Sequence, residues 1–221
     1  MPIKAIVFDF GNVVGYFDHL RTSRRLAEHS ELPVDVIHAH LFGGQLGDDY
    51  ESGRLATSDF IRRVREVCQL RCSDELVAAA WADIFWPNPE VCALLPQLKP
   101  SYRLLLGSNT NELHAQQFCR QFRDVFRHFD ALVLSHEVGA CKPNAAFFHH
   151  CQRRAGCPAG ECLFIDDVSV NVAGALACGL HGIVYREMAD LRKQLGTLGV
   201  LGSSDDKASR TLIHPQDQMP W

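Results

Sequence analysis

Apolar residues along most of this chain fall into short runs that alternate with longer segments of helical spacing. Strand-type runs occupy five stretches, at 3–8, 102–106, 131–135, 162–165 and 182–185. Helical patterns between and after them occupy 112–126, 143–155, 170–178 and 188–195. Strands that alternate with helices favour right-handed parallel crossovers. The pattern therefore predicts an α/β fold built on a doubly wound parallel sheet.

The segment 16–86, called here the helical insert, breaks this alternation. Its apolar spacing is helical at 20–29, 34–42, 57–68 and 74–85, and no strand pattern is visible within it. We expect a small helical cap domain inserted after the first strand, above the sheet edge that the strand reaches. The predicted organisation is an α/β core domain at 1–15 and 87–198, the cap domain at 16–86, and an irregular tail at 199–221.

Composition narrows the class of protein. The chain has 221 residues, 47% of them hydrophobic, which is ample for a packed core. A net charge of −4 without a Lys/Arg-rich cluster argues against a nucleic-acid partner. No apolar run approaches the length of a membrane span, and no signal peptide is visible. The nine cysteines are odd in number and irregularly spaced, which favours reduced thiols and a cytoplasmic location.

Polar side chains follow several of the predicted strands. Asp9 closes the first apolar run, Ser108 follows the second, Lys142 comes after the third, and Asp166 and Asp167 follow the fourth. Because open α/β folds keep their chemistry at the carboxyl edge of the sheet, these groups are expected to converge there. Carboxylates that suit magnesium, together with a hydroxyl and an ammonium, indicate metal-assisted phosphoryl transfer.

Each of these groups also has an ordinary structural explanation when it is taken alone. Asp9 suits a turn, Asp167 suits a helix cap, and Lys142 suits an exposed loop. The run 108–110 suits a helix N-cap. The order of all four stretches, each at a strand end, favours the functional explanation.

The same stretches resemble the four ordered motifs of the haloacid dehalogenase superfamily. They read VFDFGNV at 7–13, LGSNT at 106–110, SHEVGACKP at 135–143 and FIDD at 164–167. The run YESGRL at 50–55 looks like the signature of the helical cap in the first subfamily. The resemblance covers about residues 3 to 190 and implies a Rossmann-like core. It is closest to the glucose-1-phosphate phosphatase-like branch.

The resemblance implies a role for each matching residue. Asp9 would be the nucleophile that accepts the phosphoryl group, in a hydrolase acting on a small phosphorylated metabolite, possibly a sugar phosphate. The implied phosphate ligands are Ser108, Asn109 and Lys142. The implied ligands of a Mg²⁺ cofactor are Asp9, Asp167 and the carbonyl oxygen of Gly11, supported by Asp166.

One position departs from the family pattern. Most phosphatases of the superfamily carry a second aspartate two residues after the nucleophile, where this chain has Gly11. That aspartate supplies a proton to the leaving group, a contribution of about 10²–10⁴-fold. A phosphatase that acts on an activated ester, such as a sugar 1-phosphate, would tolerate the loss. Asp18, His19 or Glu51 of the helical insert would then be possible proton donors.

Two other functions stay open at this stage. A 2-haloacid dehalogenase needs no proton for a leaving halide and no metal, but the acid pair Asp166 and Asp167 is then poorly explained. A weakly active family member that binds a phosphorylated ligand or a protein partner is the third possibility, because a fold does not fix a function.

Overall fold

Five parallel strands form the central sheet of the computed structural model, which describes residues 2–202. These strands are β1 (Ala5–Phe8), β4 (Arg103–Ser108), β5 (Ala131–Leu134), β6 (Cys162–Asp166) and β7 (His181–Val184). Their order across the sheet is β5-β4-β1-β6-β7. The predicted α/β fold with a doubly wound parallel sheet is thus confirmed.

The apolar runs of the central strands are continuous because both faces of the sheet are covered. On β1, Ile6 and Phe8 point to one apolar cluster, and Ala5 and Val7 point to the other. The first face is covered by α6 (Pro89–Leu98), α7 (Glu112–Gln121) and α12 (Met188–Thr197). The second is covered by α10 (Ala145–Ala155) and α11 (Ser169–Ala177).

The register of the sheet brings the predicted polar groups to one edge. Phe8 pairs with Leu106 on one side and with Ile165 on the other. Asp9, the next residue, is therefore level with Gly107, directly before Ser108, on one side and with Asp166 on the other, since parallel strands end at the same edge.

Residues of the helical insert form five helices with an apolar cluster of their own. The helices are α1 (His19–Ala27), α2 (Val34–Phe42), α3 (Gln45–Glu51), α4 (Thr57–Val67) and α5 (Asp74–Ala82). Aromatic stacking is prominent there: the ring of Tyr50 stacks on Phe60 at a centroid distance of 4.1 Å. The division into core and cap domains stays a prediction.

The expectation that the insert holds no strand was wrong at its borders. The three-residue strands β2 (Gly15–Phe17) and β3 (Phe85–Pro87) pair antiparallel where the chain leaves and re-enters the core. A strand of three residues is too short to show an alternating pattern. The short helix α3 was missed because only Leu46 and Tyr50 of its residues are strongly apolar.

Several predicted helices differ from those observed. The segment 112–126 breaks at Phe122 into α7 and α8 (Arg123–Phe126). The predicted strand at 131–135 ends one residue early, because Ser135 begins α9 (Ser135–Val138). Of the predicted irregular tail, 203–221 lie outside the described residues, whereas Val200 is buried and its carbonyl oxygen accepts a hydrogen bond from Tyr102. Within residues 2–202, no helix has the length and apolar character needed to cross a membrane.

Candidate active site

The centre of the site is an ammonium held between two carboxylates. Lys142 Nζ lies 2.6 Å from Asp9 Oδ1 and 2.8 Å from Asp166 Oδ2. It also donates a hydrogen bond to the carbonyl oxygen of Gly107 at 3.0 Å. An ammonium has three protons, so these partners use all of its donors. The Lys142 side chain is only 1% exposed, so it is not an ordinary loop lysine exposed to solvent.

Asn109 fixes the backbone from which this lysine projects. Its side-chain Oδ1 accepts from Lys142 N at 2.8 Å, and its Nδ2 donates to Lys142 O at 3.0 Å. The Asn109 side chain is therefore committed to holding the lysine. Only its backbone N–H remains for the predicted ligand role, and within residues 2–202 that group makes no hydrogen bond.

The two acids at the end of β6 differ in burial: Asp166 is buried and Asp167 is half-buried. Asp166 is fully buried, and its carboxylate accepts hydrogen bonds from Val168 N at 2.8 Å and from Asn171 Nδ2 at 3.1 Å. Asp167 Oδ2 accepts from Asn12 Nδ2 at 3.0 Å. The helix-cap explanation of Asp167 was wrong, because the N-cap of α11 is Val168 and has no side-chain bond.

Ser108 closes β4 directly beside this group. It is buried, and its hydroxyl makes only a long hydrogen bond of 3.3 Å, to the carbonyl oxygen of Asn109. The helix-cap explanation of residues 108–110 was also wrong, since Asn111 caps α7 by accepting from His114 N at 3.1 Å. The Ser108 hydroxyl is thus free to turn toward a ligand.

The electrostatics of the site favour a cation. Oxygens of Asp9, Asp166 and Asp167 lie within 4.8 Å of one another, and Lys142 supplies one positive charge against three carboxylates. Burial raises the pKa of Asp9 to about 7, the charge of Lys142 opposes that rise, and the other two acids add to it. Burial also raises the pKa of Asp167. Hard carboxylate oxygens with an excess of negative charge fit a divalent cation such as Mg²⁺.

The position of the missing aspartate is closed by an aromatic ring. A Cβ atom on Gly11 would lie 2.9 Å from Cε1 of Phe17. The ring of Phe17 in turn packs on His19, with ring centroids 4.8 Å apart. The backbone of Gly11 is outside the left-handed region, so a side chain at this position would meet the neighbouring ring and no main-chain strain.

Two site residues were missed by the sequence analysis. Asn12 has a positive φ of 55° and orients Asp167, and Asn171 bonds both oxygens of Asp166. Asparagine tolerates the left-handed region better than most residues, so an asparagine after glycine at a strand end was a usable signal for Asn12. Asn171 lies on the helix after the acid pair and gave no such signal.

The chain belongs to the haloacid dehalogenase-like hydrolase family, whose family model matches residues 3–179. This agrees with the order of the strands, the acid at the end of β1 and the lysine that contacts it. The protein is thus a hydrolase-family enzyme with an α/β core.

Two curated relatives that match most of the chain, and whose own length is almost fully covered, are named as phosphatases. The D-ribitol-5-phosphate phosphatase of Bacteroides thetaiotaomicron is 25% identical over 87% of this chain and 97% of the relative. A phosphatase of Mycobacterium tuberculosis is 26% identical over 91% of this chain and 97% of the relative. Among solved structures, the magnesium complex of a haloacid dehalogenase family enzyme from Bacteroides thetaiotaomicron is similar, with a TM-score of 0.75 and 25% identity over 86% of this chain and 98% of that chain.

Proposed function

We propose that this protein is a magnesium-dependent phosphomonoester hydrolase in which Asp9 is the nucleophile. The single observation that carries the proposal is the contact of Asp9 with Lys142 beside the acid pair, at the carboxyl edge of the sheet. An acid in this setting attacks phosphorus, the ester bond breaks, and an aspartyl phosphate forms on Asp9. Water then attacks the phosphorus and releases inorganic phosphate.

The metal proposal rests on the charge of the site. Asp9 and Asp167, with the carbonyl oxygen of Gly11, would hold Mg²⁺, and Asp166 would support them from its buried position. When bound, the cation offsets the repulsion between the nucleophilic carboxylate and the phosphoryl oxygens. Within residues 2–202 no hydrogen bond engages the Gly11 carbonyl oxygen, so it is free for this role. The magnesium complex of the similar structure supports the same choice of ion.

The phosphoryl oxygens would be bound by groups at the end of β4 and by the lysine. Ser108 presents a hydroxyl and Asn109 a backbone N–H, and both lack strong partners among the described residues. Lys142 stabilises negative charge as it moves from the nucleophile to the phosphoryl group.

The proposed substrate is a small phosphorylated sugar or polyol. The name of the D-ribitol-5-phosphate phosphatase supports this class for a chain that matches nearly its full length. The more specific prediction of a glucose-1-phosphate phosphatase-like branch rests on the resemblance alone. An anomeric phosphate would suit Gly11, since the sugar oxygen is a better leaving group than a plain alkoxide.

A panel of sugar and polyol phosphates, assayed with Mg²⁺ and with EDTA, tests the function. Wild-type protein should release phosphate only with the metal, and Asp9→Asn should abolish turnover. Asp124→Asn, the same change at an exposed acid of α8, should leave turnover unchanged. Equal turnover in EDTA would refute the metal-dependent mechanism.

The same preparation separates the two other functions. A 2-haloacid dehalogenase would release chloride from 2-chloropropionate without metal. A non-catalytic binding protein would bind phosphate or Mg²⁺ without turning over any ester. The acid pair argues against the dehalogenase, because that reaction has no use for the charge of Asp166 and Asp167.

A further inference from the structure

The hydrolase proposed above needs a proton donor that Gly11 cannot supply. The three possible donors in the helical insert, Asp18, His19 and Glu51, differ in their surroundings. Asp18 is occupied by the fold. Its Oδ1 accepts a hydrogen bond from Leu20 N at 2.9 Å, and it is the N-cap of α1. The carboxyl group of Asp18 thus already has a structural role as the cap that holds the start of α1.

His19 is packed among aromatic rings. It stacks on Phe42 with ring centroids 4.1 Å apart, and its ring lies 4.8 Å from that of Phe17. Burial lowers the pKa of His19 to about 4, with a further contribution from the charge of His38. The imidazole is therefore neutral near pH 7, and a neutral imidazole does not donate a proton readily to an alkoxide.

Glu51 is held against the core by its own backbone. It is the last residue of α3, and its carbonyl oxygen accepts a hydrogen bond from Ser135 Oγ at 2.6 Å. Two residues later, Gly53 lies so close to the core that a Cβ there would collide with the carbonyl oxygen of His136. The end of α3 is thus pressed against α9, the short helix that leads to Lys142.

The carboxyl group of Glu51 is the part of this residue left without a partner. Among the described residues, none donates a hydrogen bond to it or forms an ion pair with it, although the residue is half-buried. The ionisable groups that act on it are Asp48 on the same helix and Lys142 and Cys141 from the loop after α9. Burial, followed by the negative charge of Asp48, raises the pKa of Glu51 to about 7, and Lys142 opposes that rise.

We infer that Glu51 is the proton donor and acceptor of the reaction, in place of the acid missing at Gly11. The inference rests on the proposed phosphatase function. It draws on a carboxyl group that has no partner among the described residues, on a residue whose backbone Ser135 ties to the loop that follows Ser108. The helical insert thus supplies the group that the loop after β1 lacks.

The proton balance follows from the two steps. As Asp9 bonds to phosphorus, the bond from phosphorus to the ester oxygen breaks, and that oxygen takes the proton of Glu51 and leaves as an alcohol. The resulting carboxylate of Glu51 then takes a proton from water while the water oxygen attacks the phosphorus. The bond to Asp9 breaks, and phosphate leaves. Glu51 ends the cycle protonated, ready for the next ester.

Leaving-group dependence tests this role, because a merely structural residue would not change it. Glu51→Gln should lose about 10²–10⁴-fold in turnover of an alkyl phosphate such as a polyol phosphate. With p-nitrophenyl phosphate the first step needs no proton, so the variant should release one equivalent of p-nitrophenol rapidly and then turn over slowly. Glu28→Gln, the same change at an exposed position of the insert, should match wild type on both esters.

A second variant changes the acidity and leaves Glu51 in place. Asp48→Asn removes a charge that raises the pKa of Glu51, so the fall in turnover at high pH should move to lower pH. Equal losses for both esters in Glu51→Gln, without a burst, or an unmoved pH profile in Asp48→Asn, would overturn the inference. If wild type and Glu28→Gln hydrolyse neither ester with Mg²⁺, the proposed function itself fails.

Discussion

The ring of Phe17 fills the space beside Gly11, so that a Cβ at position 11 would lie 2.9 Å from Cε1 of the ring. The strand β2, which carries Phe17, begins only four residues after Gly11 and turns its aromatic side chain back over the loop. An acid returned to position 11 would therefore have to displace this ring.

A double-mutant cycle tests this contact. Gly11→Ala alone should lower the free energy of unfolding by about 1–3 kcal/mol, because the added methyl group overpacks the site against Phe17. In a Phe17→Ala background the same change should cost less, with a coupling of about 0.5–3 kcal/mol. Denaturant unfolding of the four proteins measures the coupling. Strictly additive effects would show that the ring is not the obstacle.

The buried ion group predicts a strong effect of Lys142 on stability. Lys142→Met leaves Asp9 and Asp166 buried without their counter-charge, and removing one partner of a buried pair typically costs about 3–5 kcal/mol. The double variant Asp9→Asn with Lys142→Met removes one of the two orphaned charges and should recover part of that loss. Denaturant unfolding at pH 7.5 in EDTA measures both. A single variant as stable as wild type would contradict the arrangement.

A histidine at the border of core and insert should make the fold sensitive to acid. His114 donates from Nε2 to Trp81 O at 3.0 Å, and its Nδ1 accepts from Asn111. Burial lowers the pKa of His114 to about 3, below the ordinary value of 6.5. The unfolded chain therefore binds a proton more readily, so stability is full above pH 6.5 and falls as the pH drops toward 3. At pH 5 this group alone costs about 2 kcal/mol.

The difference in unfolding free energy between wild type and His114→Gln, followed against pH, isolates this effect. The buried acids add the same pH dependence to both proteins, so their contribution cancels. We expect the gap in unfolding free energy to narrow between pH 7 and pH 5, and His149→Gln, an exposed control on α10, to follow wild type. Parallel pH profiles for His114→Gln and wild type would show that His114 is not held neutral.

The sequence was sufficient to predict the groups that meet at the sheet edge. Asp9, Ser108 and Asp166 each close a strand with a continuous apolar run, and parallel strands end together. Lys142 was predicted by its motif, and the structure brings its ammonium into contact with Asp9. Their catalytic roles stay predictions.

Other features depend on contacts between segments distant in sequence. Nothing in the local pattern indicated that the Asn109 side chain would bond the backbone of Lys142, 33 residues away. The same holds for the packing of Phe17 over Gly11, which follows from the pairing of two very short strands. The sequence offers Glu51 as one of three possible proton donors, and only the tertiary surroundings of its carboxyl group distinguish it from the other two. Such relationships arise from tertiary packing and leave no periodic signal.

The most direct test of the account is a rapid acid quench during turnover of p-nitrophenyl phosphate with Mg²⁺, followed by mass spectrometry of the peptides. Glu51→Gln is the best protein for it, since the second step should be slow there. The account predicts the added mass of one phosphoryl group on Asp9, and no such adduct in Asp9→Asn. Phosphate release by Asp9→Asn at the wild-type rate, or a phosphoryl group on another residue, would contradict it.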